Sequence, residues 1–390
     1  MNPLRICMAI DYYHPVVGGS EIQAQRLSER LFSMGLKIDV VTRRCPDVSD
    51  TDSHGGVVVH RLPVFGRERT ASVMFVAGLF PFLLRRRHAF DVIHCHLATS
   101  TAIACLSTGM LTATPVVVKL GGSGRIGDIA ASLATRLGRM KLYVLRKGPC
   151  SFIAPTRQIA QELIKIGVRS GRINIIPNGV DTQHLFPQER EEKRAAKCAR
   201  DFEGLNLALC LGRLDPHKNI PLLIDAWSKV REHNRDWRLW IIGSGPLEGV
   251  IKNLIHKRDM GQSITLMSRV SPERVKEYLN LADLLVHPSR FEGLSNAVLE
   301  GMACGLPIIA SRIPGNLALV TDHVNGLLFD PGDADDCARC LEAAFANEKE
   351  RFRWGANGRR WVVEHMDLGM VARMHIDLYC RLLEGSENTR

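Results

Sequence analysis

The chain has 390 residues, which is long for one domain and sufficient for two that each bury a core. Its apolar fraction of 45% and charged fraction of 24% are ordinary for a soluble globular protein. The net charge is +10, and the first 184 residues carry 23 Lys and Arg against 12 Asp and Glu. No nucleic-acid recognition motif accompanies this charge, so we exclude a nucleic-acid partner and expect an anionic membrane surface or a phosphate-bearing acceptor.

The start of the chain and its cysteines indicate a compartment. The first residues, MNPLRICMAI, run directly into a predicted strand rather than a signal sequence. The eleven cysteines stand singly, without CxxC pairs, and several lie in apolar runs, as Cys7, Cys105 and Cys210 do. Such thiols serve as small buried hydrophobes in a reducing compartment. We therefore expect a cytoplasmic protein without a disulfide framework, free or peripheral on the inner face of the cytoplasmic membrane.

Short β-rich runs alternate with longer amphipathic stretches in both halves, which predicts βαβ units around parallel sheets and an α/β fold. The strands predicted in the first half are RICMAI, KIDVVT, GVVVHRL, DVIHC, PVVVKL and SFIAPT. Those predicted in the second half are LALCLG, RLWIIG, ITLM, DLLVH, PIIA and GLLF. We predict domains at 1–180 and 201–355, a linker at 181–200 after a Pro-Asn-Gly turn, and a helical C-terminal segment at 356–390.

The loop after the first strand carries the glycine pair Gly18 and Gly19, which lets the backbone approach an anion closely. Ser20 and Gln23 match a capping box, and the helix that follows is predicted to bury Leu27 on one face. The loop lacks the GxGxxG pattern of a dinucleotide site. An ordinary strand-to-helix turn is the alternative interpretation.

The apolar segment 71–84 is followed by three consecutive arginines, Arg85, Arg86 and Arg87. It is too short to span a bilayer and is interrupted by glycine and proline. Two interpretations stay open. Ala71–Arg87 lies in the interface of an anionic membrane with the arginines facing lipid phosphates, or it is a helix packed on the sheet with a basic exposed end.

Histidines alternate in the next strand, where His94 and His96 share one face. Two histidines without a third ligand nearby do not predict a metal site. We expect His96 to lie instead at the rim of a cleft, near an acceptor substrate.

The segment 291–303, FEGLSNAVLEGMA, places Glu292 and Glu300 around a glycine-rich turn that opens a helix. Ser295 is predicted to cap a helix that begins at Asn296, and the free amides there form an anion site. Carboxylates beside an anion site suit the hydroxyls of a ligand that also carries phosphate. The pattern therefore favours a nucleotide-sugar ligand. After an earlier strand, Arg213 and Lys218 form a cation pair suited to a diphosphate.

These motifs resemble those of the retaining glycosyltransferases of family 4, which have the GT-B fold. The resemblance covers the E-x7-E pair and nearly the whole chain. In order, the further motifs are GGSE at Gly18, IPNGVD at Ile176, GRLDPHKN at Gly212, IIGSGP at Ile241 and GLLFDPGD at Gly326. It implies two facing Rossmann-like domains, with the acceptor on the N-terminal side and the donor on the C-terminal side. A last helix is expected to cross back to the N-terminal domain.

The resemblance implies metal-independent hexosyl transfer, with retention, from a nucleoside diphosphate sugar to a glycan or lipid-linked acceptor in cell-surface polysaccharide or glycolipid synthesis. Arg213 and Lys218 then hold the leaving diphosphate, Glu292 orients the sugar, and Glu300 holds the ribose hydroxyls. No cofactor beyond the nucleotide-sugar is expected. The other positions implied for donor binding are Gly18, Gly19, Gly243, Gly245, Gly293, Leu294, Ser295 and Asn296.

Three positions depart from the family pattern. Many relatives carry a histidine, which contacts the transferred sugar, where this chain has Gly121 on the acceptor side. Ala318 replaces a usual acidic residue and Ser268 a common glycine. Because of Gly121, a non-catalytic partner that binds nucleotide-sugar and regulates another enzyme stays open as an alternative. Epimerisation of a nucleotide-sugar is a third interpretation, for which no acid–base pair can be assigned.

Overall fold

The structure is a computed structural model that describes residues 3–16, 18–46, 48–66, 68–200 and 202–387. The chain forms two compact units. The first comprises Met1–Gly179 together with Leu368–Arg390, and the second comprises Val180–Asp367.

The first unit is built around one twisted sheet. Its strands are β1 (Arg5–Ala9), β2 (Lys37–Arg43), β3 (Thr51–His54), β4 (Val57–Leu62), β5 (Val92–His96), β6 (Val116–Lys119), β7 (Cys150–Ala154) and β8 (Ile173–Ile175). Among the described residues they pair in the order β3-β4-β2-β1-β5-β6-β7-β8. All neighbours are parallel except β3, which runs antiparallel to β4.

Helices cover both faces of this sheet. They are α1 (Gly19–Ser33), α2 (Glu68–Arg85), α3 (Thr101–Thr112), α4 (Asp128–Leu133), α5 (Arg136–Lys147), α6 (Arg157–Lys165) and, from the end of the chain, α15 (Leu368–Glu387). Alternate side chains of β1 enter two separate cores, as the period of a strand requires. Cys7 packs with α2, α3, α5 and α6, whereas Ile6 and Met8 pack with α1 and α15.

The second unit has a smaller parallel sheet. Its strands are β9 (Asn206–Leu211), β10 (Trp237–Ile242), β11 (Ile264–Met267), β12 (Leu284–His287), β13 (Ile308–Ser311) and β14 (Gly326–Phe329). Within the described residues their order is β11-β10-β9-β12-β13-β14, and every pair is parallel.

The helices of the second unit again lie on both faces of the sheet. They are α7 (Arg190–Cys198), α8 (Ile220–Val230), α9 (Glu248–Lys257), α10 (Val275–Leu281), α11 (Asn296–Ala303), α12 (Pro314–Leu317), α13 (Ala334–Ala346) and α14 (Glu348–His365). One core contains Trp227 of α8 and Phe345 of α13. The opposite core contains Val298 and Leu299 of α11 and Val362 of α14.

Each of the twelve strands predicted from apolar runs is present, and the α/β prediction with two parallel sheets is confirmed. Strand β3 escaped prediction because its sequence, TDSH, is polar and partly exposed at the sheet edge. The signal that marks it is the Gly55-Gly56 pair, whose positive φ angles of 56° and 82° form the turn into β4.

The unit boundaries differ from the predicted ones at two places. Segment 181–200 lies within the second unit, where Lys193 and Lys197 of α7 form ion pairs with Asp283 at 2.8 and 2.6 Å. The second unit also extends past 355 to Asp367, because the Arg359 guanidinium on α14 donates to backbone carbonyls of that unit, including that of Ala303. The chain returns to the first unit at α15.

The segment Ala71–Arg87 follows the second of its two interpretations. Helix α2 buries Ala71, Phe75, Leu79 and Leu83, so its apolar face belongs to the core of the first unit rather than to a membrane interface. Arg86 is engaged with the sheet, its guanidinium lying 3.2 Å from His60. None of the helices in the described part of the chain combines the length and the apolar character needed to cross a bilayer.

Candidate active site

A hydrogen-bonded group of polar side chains in the second unit lies at the carboxyl ends of β9 and β12. These strands are neighbours, but β9 leads next to β10 on its other side, so the strand order reverses between them. Such a switch point in a parallel sheet leaves a crevice where ligands bind. Lys218 follows β9 and Glu292 follows β12, and the fold therefore brings these two predicted residues together.

Glu292 is held by three donors at one carboxylate oxygen. Its Oε1 accepts from Lys218 Nζ at 2.5 Å and from the Ser289 hydroxyl at 2.8 Å, and it lies 3.0 Å from His287 Nε2. Burial by itself would raise the pKa of Glu292, but the Lys218 charge and the His287 hydrogen bond outweigh burial and hold that pKa well below its usual range. Glu292 is therefore an anion with a fixed orientation and a side chain that is 14% exposed.

His287, the last residue of β12, escaped the sequence analysis. Its ring is buried, and its Nε2 also lies 3.1 Å from the Ser289 hydroxyl and 3.0 Å from the Ser295 hydroxyl. Burial lowers the pKa of His287, so the ring is neutral, and its Nε2 must carry the proton that it donates to the anionic Glu292. The signal for it was a polar residue ending an apolar strand, directly before the loop that carries Glu292.

The predicted helix start at Asn296 is confirmed. Ser295 is the N-cap of α11, and its hydroxyl accepts from the Val298 amide at 3.3 Å. Leu294 lies in the core, so at this position only the backbone is available to a ligand. Glu300 lies on the second turn of α11 and is 9% exposed.

Arg213 is far more exposed than Lys218. Its side chain is 69% exposed and pairs with Asp215, Nε to Oδ2, at 2.9 Å. A long exposed guanidinium with a weak surface pair can reorient towards an incoming anion, because such pairs contribute little stability.

Glycines let the strand-end loops approach closely. A Cβ at Gly243 would lie 1.8 Å from the Gly212 carbonyl oxygen, and one at Gly245 would lie 2.7 Å from the Leu214 carbonyl oxygen. A Cβ at Gly315 would lie 2.7 Å from the Glu292 carbonyl oxygen. These glycines are required for packing of the loops, and the donor-binding role of Gly243 and Gly245 stays a prediction.

In the first unit, Gly18 and Gly19 form the start of α1, and the Glu21 carboxylate of the first helical turn lies against Gly18. The predicted capping box is wrong. Gly18 is the N-cap and has no side chain with which to cap the helix, and the Gln23 amide donates instead to the Gly179 carbonyl at 3.1 Å. The Gln23 side chain reaches a distant part of the unit, which local spacing does not reveal.

Gly121 lies beside this helix start. A Cβ there would be 3.3 Å from the Ser20 hydroxyl and 2.4 Å from Leu97 Cδ2, so a side chain requires Leu97 to move. The Gly121 and Gly122 amides both donate to Asp128 Oδ2, at 2.8 and 3.1 Å. A carboxylate of the chain itself thus occupies the turn at Gly121, where the resemblance led us to expect a histidine.

His96 is 3% exposed, so its ring does not lie at a rim as we expected. Its ring stacks on that of His94 with the ring centroids 4.3 Å apart. The ring centroid of His94 is in turn 5.6 Å from that of His375 on α15. The Nδ1 of His94 lies 2.7 Å from the Tyr379 hydroxyl. Within the described residues, no group of three His, Cys, Asp or Glu side chains has an arrangement that could hold a metal ion.

Two family models match the chain. The model described as Glycosyltransferase Family 4 matches residues 17–184, and the model described as Glycosyl transferases group 1 matches residues 191–361. The structure of HepE from Anabaena, in complex with UDP and glucose, superimposes with a TM-score of 0.80 at 16% identity, covering 97% of this chain and 100% of that one. The fold is therefore GT-B, and the chain belongs to the glycosyltransferases of family 4.

Relatives extend over nearly the same length. An uncharacterized glycosyltransferase of Methanocaldococcus jannaschii is 26% identical over 350 residues, which are 90% of this chain and 91% of that protein. The D-inositol 3-phosphate glycosyltransferase of Pseudarthrobacter chlorophenolicus is 27% identical over 363 residues, 87% of this chain and 84% of that one. The chain is a glycosyltransferase.

Proposed function

We propose that this glycosyltransferase moves a hexose from a nucleoside diphosphate sugar to a glycan or lipid-linked acceptor, with retention and without a metal ion. The observation that carries the proposal is the Lys218–Glu292 pair at the switch point of the second sheet, 2.5 Å apart and directly before the α11 N-terminus. A cation, an oriented carboxylate and the start of a helix together suit a ligand with both phosphate and hydroxyl groups.

In this proposal Lys218 and Arg213 stabilise the charge that develops on the departing diphosphate. Fixed cations act where charge forms in the transition state, which is the effect that a divalent ion otherwise supplies. Glu292 accepts from sugar hydroxyls, and its depressed pKa keeps it anionic throughout the working pH range. Attack from the face that the diphosphate leaves allows a phosphate oxygen to take the acceptor proton, so the mechanism uses no separate protein base.

Two comparisons guide the choice of substrates. HepE was crystallised with UDP and glucose, and one relative is a D-inositol 3-phosphate glycosyltransferase. UDP-hexoses are therefore the first donors to test. An acceptor that carries phosphate fits the excess of positive charge in the first 184 residues. We place such an acceptor in cell-surface polysaccharide or glycolipid synthesis, at the cytoplasmic side of the membrane.

The test is release of nucleoside diphosphate by the purified chain from a panel of UDP- and GDP-sugars, with and without EDTA. We expect turnover that EDTA does not abolish, and a product whose anomeric configuration, read by NMR, matches that of the donor. Complete loss in EDTA that is restored by magnesium or manganese contradicts metal independence. Binding of nucleotide-sugar, seen as a raised melting temperature, without release of diphosphate favours the regulatory alternative.

A further inference from the structure

Helix α5 of the first unit has two apolar faces. One face is part of the core, where Leu142 and Leu145 are buried. The helix is also anchored through Lys141, whose ammonium group donates to the Ala98 carbonyl.

The second apolar face points away from the chain. Leu137, Met140 and Val144 are 76%, 61% and 39% exposed. Their spacing of three and four residues places them on one side of the helix, and we call these three residues the α5 stripe. Exposed large apolar side chains are ordinary when scattered singly, but an aligned row on one helix indicates a surface that something covers.

The charges around the α5 stripe identify its occupant. Between Arg136 and Lys147 the helix carries five basic residues and no acidic one. Arg136, Arg139 and Lys147 are exposed along one margin of the stripe, and in the described part of the chain none of the three forms an ion pair. Tyr143, half exposed beside them, supplies the amphipathic ring that interfaces favour.

An apolar row bordered by cations of one sign matches an anionic bilayer surface. Apolar side chains enter the boundary between headgroups and acyl chains, while the cations meet lipid phosphates. A second copy of the chain fits poorly, because a two-fold contact would oppose two helices that each carry only positive charge.

We propose that α5 docks the chain on an anionic bilayer, with the α5 stripe inserted and Arg136, Arg139 and Lys147 on lipid phosphates. Docking through α5 differs from the interfacial alternative for Ala71–Arg87, whose apolar face is in the core. The proposal concerns binding to lipid and does not depend on the transferase activity, so either can fail without the other.

The test is co-sedimentation of the full chain with vesicles of phosphatidylcholine alone or with about a third phosphatidylglycerol. We expect binding to the anionic vesicles that 1 M salt releases, because the Debye length falls to about 3 Å. The triple variant Leu137→Ser, Met140→Ser, Val144→Ser, and separately Arg136→Ser, Arg139→Ser, Lys147→Ser, should each weaken binding by about a hundredfold.

Two control variants separate α5 from other surfaces. Val250→Ser, Val324→Ser, Val363→Ser changes three scattered exposed valines of the second unit and should bind like wild type. Arg85→Ser, Arg86→Ser, Arg87→Ser removes the same number of cations from the end of α2 and should retain most of the binding. Loss of binding in the α2 variant, with binding intact in both α5 variants, overturns the assignment.

A measurement on the wild-type chain covers the case in which a variant folds poorly. Amide hydrogen exchange with anionic vesicles should slow within 136–147 and not within 68–85. Membrane docking is contradicted by equal binding to neutral and anionic vesicles, or by absence of binding. It is also contradicted if light scattering without lipid gives twice the mass of the chain and the α5 stripe variant returns that mass to one chain. The last result identifies a second copy as the occupant.

Discussion

The strand ends of both sheets carry polar side chains, but the two groups differ in burial and in charge pairing. In the first unit, His94 and His96 at the end of β5 are buried with Lys119, and among the described residues no acidic side chain pairs with them. In the second unit, Lys218 and Glu292 pair with each other and stay partly exposed. In the first group the histidines stay uncharged beside the buried Lys119, whose pKa falls to about 8, whereas the second group keeps two opposite charges that are partly exposed.

This difference teaches that topology gives the position of a site but not its chemistry. Both sheets have a switch point, between β1 and β5 in the first and between β9 and β12 in the second. The first switch point also holds an ion pair, Arg43 with Asp11 at 3.2 Å, but the Arg43 side chain is 5% exposed, against 18% for Lys218 at the second. A reaction that builds charge on a diphosphate needs a cation that the ligand can reach, and the more deeply buried Arg43 is less suited to supply it.

The largest expected effect comes from breaking the charged pair. Glu292→Gln removes the anion that Lys218, His287 and Ser289 orient, and we expect turnover to fall by about 10²–10³ with the fold intact. Glu350→Gln is the matched control, since it removes a partly exposed carboxylate paired with Arg353 on α14. Steady-state kinetics of both variants measure the loss of turnover, and their melting temperatures show whether the fold is intact. Near-normal turnover of Glu292→Gln would rule out the role assigned to Glu292.

Arg213→Ala tests the more exposed of the two cations, Arg213 and Lys218. We expect a loss of about 2–4 kcal/mol of transition-state stabilisation, close to that of Glu292→Gln or somewhat less because the side chain is mobile. Arg339→Ala is matched closely, since Arg339 is 72% exposed and lies 2.8 Å from Asp336. Equal kcat/KM for the two variants and wild type would show that Arg213 is an ordinary surface residue.

The buried histidines of the first unit, His94, His96 and His375, predict that the chain loses stability in acid. Burial lowers the pKa of His94 and His96 well below their ordinary value, and it lowers the pKa of His375 to about 3. Since these folded-state pKa values lie below the unfolded value of about 6.5, the unfolded chain binds more protons in acid. The stability that these uncharged histidines contribute is therefore fully present above about pH 6.5. It is lost as the pH falls towards the folded-state pKa values, by up to about 1.4 kcal/mol per histidine for each pH unit.

The two units offer a control within one molecule, because all five tryptophans lie in the second unit. Denaturation at pH 7.5 and 5.5, followed by circular dichroism and by tryptophan fluorescence, should show a larger shift by circular dichroism if the units unfold separately. His375→Gln should reduce the pH dependence by about one proton. An unchanged pH dependence in that variant contradicts the assignment to the buried histidines.

The smallest effect compares the two helix starts. Ser295→Ala should lower the free energy of unfolding by about 1 kcal/mol, since its hydroxyl caps α11. Ser20→Ala should change it by less than about 0.5 kcal/mol, because Gly18 and not Ser20 begins α1. Urea titrations of both variants provide the measurement. A larger cost at Ser20 would show that its hydroxyl supports the helix in another way.

Much of this protein follows from its sequence alone. Apolar runs and turn residues predicted twelve strands and the two-domain α/β fold, because burial of alternating side chains and glycine conformations are local properties. Ser295 was identified as an N-cap for the same reason, since a cap bonds an amide three residues away. The motif order also indicated the glycosyltransferase family that the family models confirm.

Tertiary structure decided what depends on distant partners. The Gln23 amide bonds Gly179 rather than the helix start, His96 stacks in a core closed by α15, and His287 orients Glu292 from the end of β12. The same residue types at the same spacing permit either outcome, because a long polar side chain takes the partner that the packed chain offers. Sequence fixes local preference, and only the assembled sheet determines which polar groups meet and which are left uncharged.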